Sequence, residues 1–273
     1  MSQLWSPGDA AGRIAIPRAH DDKYSRGVLG VVTGSRRYPG AAVIGVESAL
    51  RTGVGMVRHL APSAVSELVL ARRPEVVTTD GRVQAWLLGS GMDAADRGPA
   101  TRKRLERALG QDVPTILDGG ALDLHARATG PVIITPHYRE LARTTGLELS
   151  VIAADPQAAA VATAGRLGVT VVLKGHSTWV ASPSGSVLEA RCAPPWLATA
   201  GAGDALAGIL GALVATHAGI VSEDPDELAR LGATAAVIHG LAAERASNGG
   251  PFTIMDLAAA LPGVIADLVR DAG

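Results

Sequence analysis

Short β-branched runs alternate with helix-patterned segments along most of the chain. Apolar residues dominate 28–32, 54–60, 85–89 and 114–118, and the run Val132 to Thr135 and residues 169–173 repeat the pattern, as strands buried on both faces do. Between them, residues 41–52, 98–109, 139–145 and 156–167 read as helices. This alternation predicts an α/β fold with a mostly parallel sheet. Pro183, Ser184 and Gly185 then supply the turn of a hairpin. Beyond Gly203 the chain turns helical, with a small-residue helix to about Thr216, a second near 226–246 and a last from Asp256. No linker, charge block or repeat divides it, so residues 1–273 read as one domain, with 1–22 as an N-terminal extension.

Ligands of open α/β sheets bind beyond the carboxyl ends of the strands. Four such ends stand out: Thr33-Gly34-Ser35, Gly89-Ser90-Gly91, Thr135-Pro136-His137 and Lys174-Gly175-His176.

Composition narrows the partners more than the fold. Of 273 residues 47% are hydrophobic, enough for a substantial core, and 25 basic against 26 acidic side chains leave a net charge of −1. Such a balance creates no field for nucleic acid or an anionic membrane, so a polyanionic ligand must be captured locally. Charges and prolines interrupt Met1 to Arg26 before a signal peptide's apolar core can form. The longest apolar runs also stop short of the roughly 20 residues of a membrane span. A cytoplasmic location is expected. The single Cys192 excludes an internal disulfide or a cysteine-built zinc site, and reads as a buried or incidental thiol.

The strongest local signal runs from Thr199 to Gly208, where Gly201-Ala202-Gly203-Asp204 feeds a small-residue helix. Glycines admit a ligand close to the backbone, and the free N–H groups of a helix's first turn suit a phosphate in transfer. A carboxylate at Asp204 could take a proton from a hydroxyl attacking that phosphate. It could equally be a first-turn acid that favours the helix dipole. The segment lacks the Gly-Lys-Ser/Thr of a P-loop and the spacing of a dinucleotide fingerprint, which disfavours a Rossmann dehydrogenase. Lys174 is a phosphate contact or a surface lysine, and His137 a cleft imidazole or a helix cap. Asp118 is a cleft carboxylate or a turn former before Gly119-Gly120.

Taken in order, these segments resemble the NAD(P)H-hydrate dehydratase family of ribokinase-like enzymes. The resemblance rests on Gly34-Ser35 with Tyr38 to Ala42, the helix ending Ala49 to Gly53, Thr135-Pro136-His137 with Glu140, Leu173 to Thr178, Leu197 to Ile209, and His239 to Ala242. It implies a three-layer sandwich and a reaction in which ATP or ADP, with Mg2+, drives dehydration of hydrated NAD(P)H. It further implies that Lys174, Gly175, His176, Ser177, Thr178 and Gly203 contact the adenine nucleotide. Ala41, Gly91, His137 and Asp204 would line the hydrated-nicotinamide pocket, and Asp204 would be the base. The amides of Gly201, Ala202 and Gly203 would form an anion hole. Magnesium is expected to bridge nucleotide oxygens, with no protein ligand assigned. The resemblance starts near residue 23, leaving too little sequence ahead of it for the epimerase of two-domain relatives, so a separate epimerase and a homo-oligomeric state are expected.

Three departures from the family pattern leave Asp204 and the glycines in place but lose a hydroxyl and a carboxylate. Asp118-Gly119-Gly120-Ala121-Leu122 stands where the family has Asp-Ala-Asp-Ala-Leu, Gly89-Ser90-Gly91-Met92-Asp93 replaces Gly-Pro-Gly-Leu-Gly, and Gly201-Ala202-Gly203-Asp204 replaces Gly-Thr-Gly-Asp. They bear on metal handling and nucleotide choice. A ribokinase-like kinase of a hydroxymethylpyrimidine or thiazole alcohol is the enzymatic rival, and a silent nucleotide-binding module the non-enzymatic one.

Overall fold

The computed structural model describes residues 2–224 and 226–271 and sets the β-branched runs side by side in one sheet of nine strands. In chain order the elements are β1 (Gln3–Leu4), α1 (Pro7–Ala11), β2 (Val28–Val32), α2 (Gly40–Thr52), β3 (Met56–His59), α3 (Ser63–Arg72), β4 (Ala85–Leu88), α4 (Pro99–Leu109), β5 (Thr115–Leu117) and β6 (Val132–Ile134). They continue with α5 (Tyr138–Thr145), α6 (Leu149–Ala154), α7 (Pro156–Leu167), β7 (Thr170–Leu173), β8 (Thr178–Ala181), β9 (Val187–Ala190), α8 (Ala202–Thr216), α9 (Ala218–Glu223), α10 (Glu227–Ser247) and α11 (Ile254–Asp271). Strand order is β1-β9-β8-β7-β6-β5-β4-β2-β3. From β3 to β7 every pairing is parallel, whereas β8 and β9 form the expected hairpin and pair antiparallel.

Side chains alternate across the sheet because successive residues of a strand point to opposite faces. In β2, Leu29 and Val31 join a core with α1–α3 and α8–α11, while Val28 and Val32 join a second core with α4–α7. Three layers result. Gly30 makes room for a neighbour on β4, since a methyl group there would lie 2.4 Å from the buried Trp86 ring. Trp86 in turn donates its indole N–H to Gln111 at 3.2 Å.

The contact that most directly positions the cleft is between α2 and α8. A Cβ at Gly208 would come 2.2 Å from the carbonyl oxygen of Gly45, so the two helices touch backbone to backbone. Small residues therefore set how close Ala41, at the start of α2, lies to the start of α8.

The N-terminal extension contains elements that apolar periodicity does not reveal. Gln3–Leu4 pairs with β9, Trp5 is buried and donates its indole N–H to Thr234 at 3.0 Å, and α1 packs against α10 and α11. Ser6 and Asp9 cap α1 reciprocally, with Pro7 in its first turn.

Candidate active site

Each parallel strand ends on a turn at one edge of the sheet, and four of these turns are stitched together by one carboxylate. Asp118, directly after β5, is buried and accepts hydrogen bonds from Ser90 Oγ (2.9 Å), Thr135 Oγ1 (2.7 Å) and Lys174 Nζ (3.0 Å). These donors follow β4, β6 and β7. The Gly34 N–H adds the end of β2 by donating to Ser90 O at 2.7 Å. Asp118 is thus a buried carboxylate that ties strand ends together, and it does not itself line the adjoining cleft. Burial alone would raise its pKa, but the Lys174 charge and the hydrogen bonds from Thr135, Lys174 and Ser90 hold it below the ordinary value.

Lys174 is no surface lysine. Its Nζ lies 3.0 Å from Asp118 and 3.9 Å from Glu140, and a methyl group on Gly203 would come within 3.3 Å of it. The ammonium therefore stands between the sheet edge and the start of α8. Burial disfavours its charge, yet the carboxylates of Asp118 and Glu140 more than reverse this and raise its pKa.

The chain enters α8 through Gly201, whose φ of +88° is a left-handed conformation that favours glycine. No side chain caps this helix, so the N–H groups of Gly203 and Asp204 remain available, while that of Ala202 donates to Thr199 O at 3.4 Å. Asp204 sits in that turn. Its pKa is raised to about 6, first by burial, then by the negative charge of Asp118, with Lys174 opposing and Glu140 adding to the rise.

A cleft of about 680 Å³ opens beside these groups. Of the nucleotide residues implied by the resemblance, Lys174, Gly175, His176, Thr178 and Gly203 line it. His137 and Ala202 line it too, but Ser177 and Gly201 do not. Gly201 instead packs toward Ile44 and Ile254. His137 also caps α5: its Nδ1 accepts from the Glu140 N–H at 3.2 Å, and the Glu140 carboxylate accepts from the His137 N–H at 2.8 Å. Both readings of this histidine describe it, and it shares a cleft with the nucleotide group.

Ala41 and Gly91 meet elsewhere. A Cβ on Gly91, whose φ is +66°, would lie 2.4 Å from the Ala41 methyl and 2.8 Å from Tyr38 O. One turn further along α2, a methyl on Gly45 would come within 3.5 Å of Asp204 O, so this corner adjoins Asp204 from the other helix. The turn 89–93 also accounts for the missing second acid: a Cβ at Gly120 would lie 2.4 Å from Met92 O. A side chain there requires a different path for that turn.

Two titratable lining residues escaped the sequence reading of the site. His239, on α10, is buried with Nε2 unpartnered, and burial lowers its pKa to about 4, against a rise from the Ala202 backbone and with a further drop from Lys174. It stands in the motif His239-Gly240-Leu241-Ala242, which was the available signal. Cys192 lines the cleft half-buried, and burial raises its pKa, the opposite of an activated thiol. Among the described residues no group of three or more His, Cys, Asp or Glu side chains could hold a metal ion. None of their helices is long and apolar enough to cross a membrane.

Comparison with known proteins decides the family. The NAD(P)H-hydrate dehydratase family model matches residues 29–261. The chain belongs to the NAD(P)H-hydrate dehydratase family. It is 41% identical over 220 residues to the bifunctional NAD(P)H-hydrate repair enzyme Nnr of Mycobacterium tuberculosis, covering 76% of this chain and 45% of that one. The chain thus spans about half the length of the first curated relatives it matches. The ADP-dependent (S)-NAD(P)H-hydrate dehydratase of Xanthomonas campestris is 32% identical over 220 residues, or 73% of this chain and 76% of that one. Among solved structures, the Bacillus subtilis ADP/ATP-dependent NAD(P)H-hydrate dehydratase co-crystallised with ATP/Mg2+ superposes with a TM-score of 0.87 at 25% identity, covering 98% and 99% of the two chains. A ribokinase-like superfamily protein of Enterococcus faecalis (TM-score 0.84, 22% identity, 98% and 97% coverage) shares the fold, which is ribokinase-like as the resemblance implied. The hydroxyethylthiazole kinase of Pyrococcus horikoshii, at TM-score 0.66 and 16% identity, is alike in fold alone.

Proposed function

We propose that the chain dehydrates the S epimer of hydrated NAD(P)H at the expense of ATP or ADP. The observation that carries this reading is Asp204, a half-buried carboxylate with a raised pKa in the first turn of a helix without a side-chain cap, with Lys174 nearby. Asp204 takes the proton of the C6 hydroxyl, and the oxygen attacks the γ-phosphoryl of ATP or the β-phosphoryl of ADP. ADP or AMP is the leaving group, and the amides of Gly201, Ala202 and Gly203 meet the charge on the transferring phosphoryl. Phosphate then departs with the C6 oxygen while the adjacent carbon loses a proton, restoring the ring double bond. Lys174, Gly175, His176, Ser177, Thr178 and Gly203 bind the nucleotide, and Ala41, Gly91 and His137 bind the hydrate. Mg2+ accompanying the nucleotide would supply neutralisation of the phosphate charge during transfer, and no protein ligand is assigned to it.

A general base works only when ionised. With its pKa at about 6, Asp204 is mostly charged at pH 7 and becomes protonated as the pH falls. Turnover at saturating substrate is expected to drop through a single protonation near pH 6. An acid limb near pH 4, the ordinary carboxylate range, would remove Asp204 from this role.

A fixed pocket places one C6 configuration within reach of Asp204 and misplaces the other. A mixture of epimers is therefore expected to react in a fast phase equal to its S fraction, then a slow phase limited by spontaneous epimerisation. Added epimerase, the enzyme's functional partner in this scheme, should accelerate only the slow phase. Equal rates for purified R and S would overturn the pocket assignment. The kinase reading shares Asp204 and the anion hole, but nothing beyond the fold favours it.

A further inference from the structure

We propose that Asp118 is a positioning residue for the nucleotide, acting through Lys174. The inference rests on the reading of the cleft as a nucleotide site and assigns it a residue that makes no contact with the ligand. Asp118 is 5% exposed, and its carboxylate accepts from Ser90, Thr135 and Lys174 at 2.7–3.0 Å. Each donor follows a different strand, and each strand end carries a group assigned to a ligand. Ser90 precedes Gly91, Thr135 lies two residues before His137, and Lys174 opens the nucleotide segment.

The lysine side chain explains why a carboxylate is needed. A lysine stem has four rotatable bonds, and an ammonium left unpaired in a buried site loses its proton or swings toward solvent. Asp118 prevents both, holding Nζ on the side of Gly203 that a side chain would occupy, where phosphate would meet the first turn of α8. Glu140, 3.9 Å from Nζ, is the weaker partner, because its carboxylate already accepts the His137 N–H. Without Asp118 the ammonium would be free to pair with Asp204, which would place it on the base and away from the phosphate. Thr135 shares Oδ1 of Asp118 with Lys174 and Ser90 holds Oδ2, so both carboxylate oxygens are anchored and its orientation is fixed before any ligand arrives.

The test is a double-mutant cycle read by calorimetric titration with ADP alone, with no hydrate present. Asp118→Asn keeps the shape of the side chain while removing its charge. Asp118→Asn and Lys174→Gln should each weaken ADP binding by about 10–100-fold, the scale of a lost charge-assisted hydrogen bond. Because Asp118 acts through Lys174, the double variant should bind within about twofold of Lys174→Gln. A residue that only stabilised the fold would instead weaken binding by the same factor in both backgrounds. Wild-type affinity in Asp118→Asn, or losses that multiply in the double variant, would overturn the proposal. Failure of the wild type to bind either ADP or ATP would instead overturn the nucleotide reading itself.

A second measurement needs no variant at Asp118. The chain has three lysines, Lys23, Lys103 and Lys174, so the Cε signal of Lys174 in 13C-lysine-labelled protein can be assigned by its loss in Lys174→Gln. The charged and titratable groups around its ammonium are Asp118, Glu140, Asp204 and His239, with Asp118 nearest. Paired in this way, Lys174 should titrate above the ordinary lysine range. Titration at or below that range would mean that Asp118 does not hold the charged ammonium, and would overturn the proposal even if Asp118→Asn did not fold.

Discussion

Asp204→Asn is expected to lose about 10²–10⁴-fold in turnover, the range for removal of a general base, while binding ADP or ATP nearly as the wild type does. The expectation follows from position. Asp204 lies in the first turn of α8, whereas the nucleotide contacts are assigned to Lys174–Thr178 and to the backbone of Gly203. Asparagine preserves size and the ability to hydrogen bond but cannot take the proton. Losing a carboxylate also relieves repulsion with Asp118 and Glu140, so folding should not suffer. Steady-state turnover set beside calorimetric nucleotide affinity checks the prediction. Near-normal turnover would show that another group is the base.

Gly208→Val should be the most damaging substitution away from the chemistry. Even a single methyl carbon would lie 2.2 Å from Gly45 O, and this obstacle is backbone in a neighbouring helix rather than a side chain that can rotate aside. Overpacking of this kind costs about 1–3 kcal/mol or more, and for a chain of this size roughly 3 kcal/mol lowers Tm by about 6–12 °C. The valine must push α2 from α8, parting the Ala41–Gly91 corner from Asp204, so activity should fall further than stability alone accounts for. Thermal melting and turnover below the melting range check both halves. A Tm within about 1 °C of wild type would show that the helices yield easily, contrary to interior packing.

The parallel sheet was legible because its strands are buried on both faces, leaving uninterrupted apolar runs such as Val28–Val32. The hairpin was legible from Pro183 to Gly185. By contrast, Gln3–Leu4 is too short for periodicity to register, and only the Ser6–Asp9 cap with Pro7 marks the first helix. Beside the cleft, Asp204 and Lys174 stand out in the sequence because they adjoin glycines at element ends. Their roles stayed open, because sequence spacing does not reveal burial. The hub at Asp118 lay out of reach for the same reason: Ser90, Thr135 and Lys174 are 28, 17 and 56 residues away along the chain and meet only once the strands are ordered in the sheet. His239 is another such case, brought by α10 to a cleft whose other walls come from strand ends, the loop between β9 and α8, and the start of α8.

The most direct measurement is the fate of purified S-hydrated NADPH incubated with the protein and either ATP or ADP. Three quantities are followed together: reduced-nicotinamide absorbance, orthophosphate and nucleotide product. Dehydration through a phosphorylated C6 oxygen predicts that absorbance recovers with one orthophosphate and one ADP or AMP formed per ring restored. Nucleotide consumption with a stable phosphorylated alcohol and no recovery of absorbance, or no turnover with either nucleotide, would contradict it.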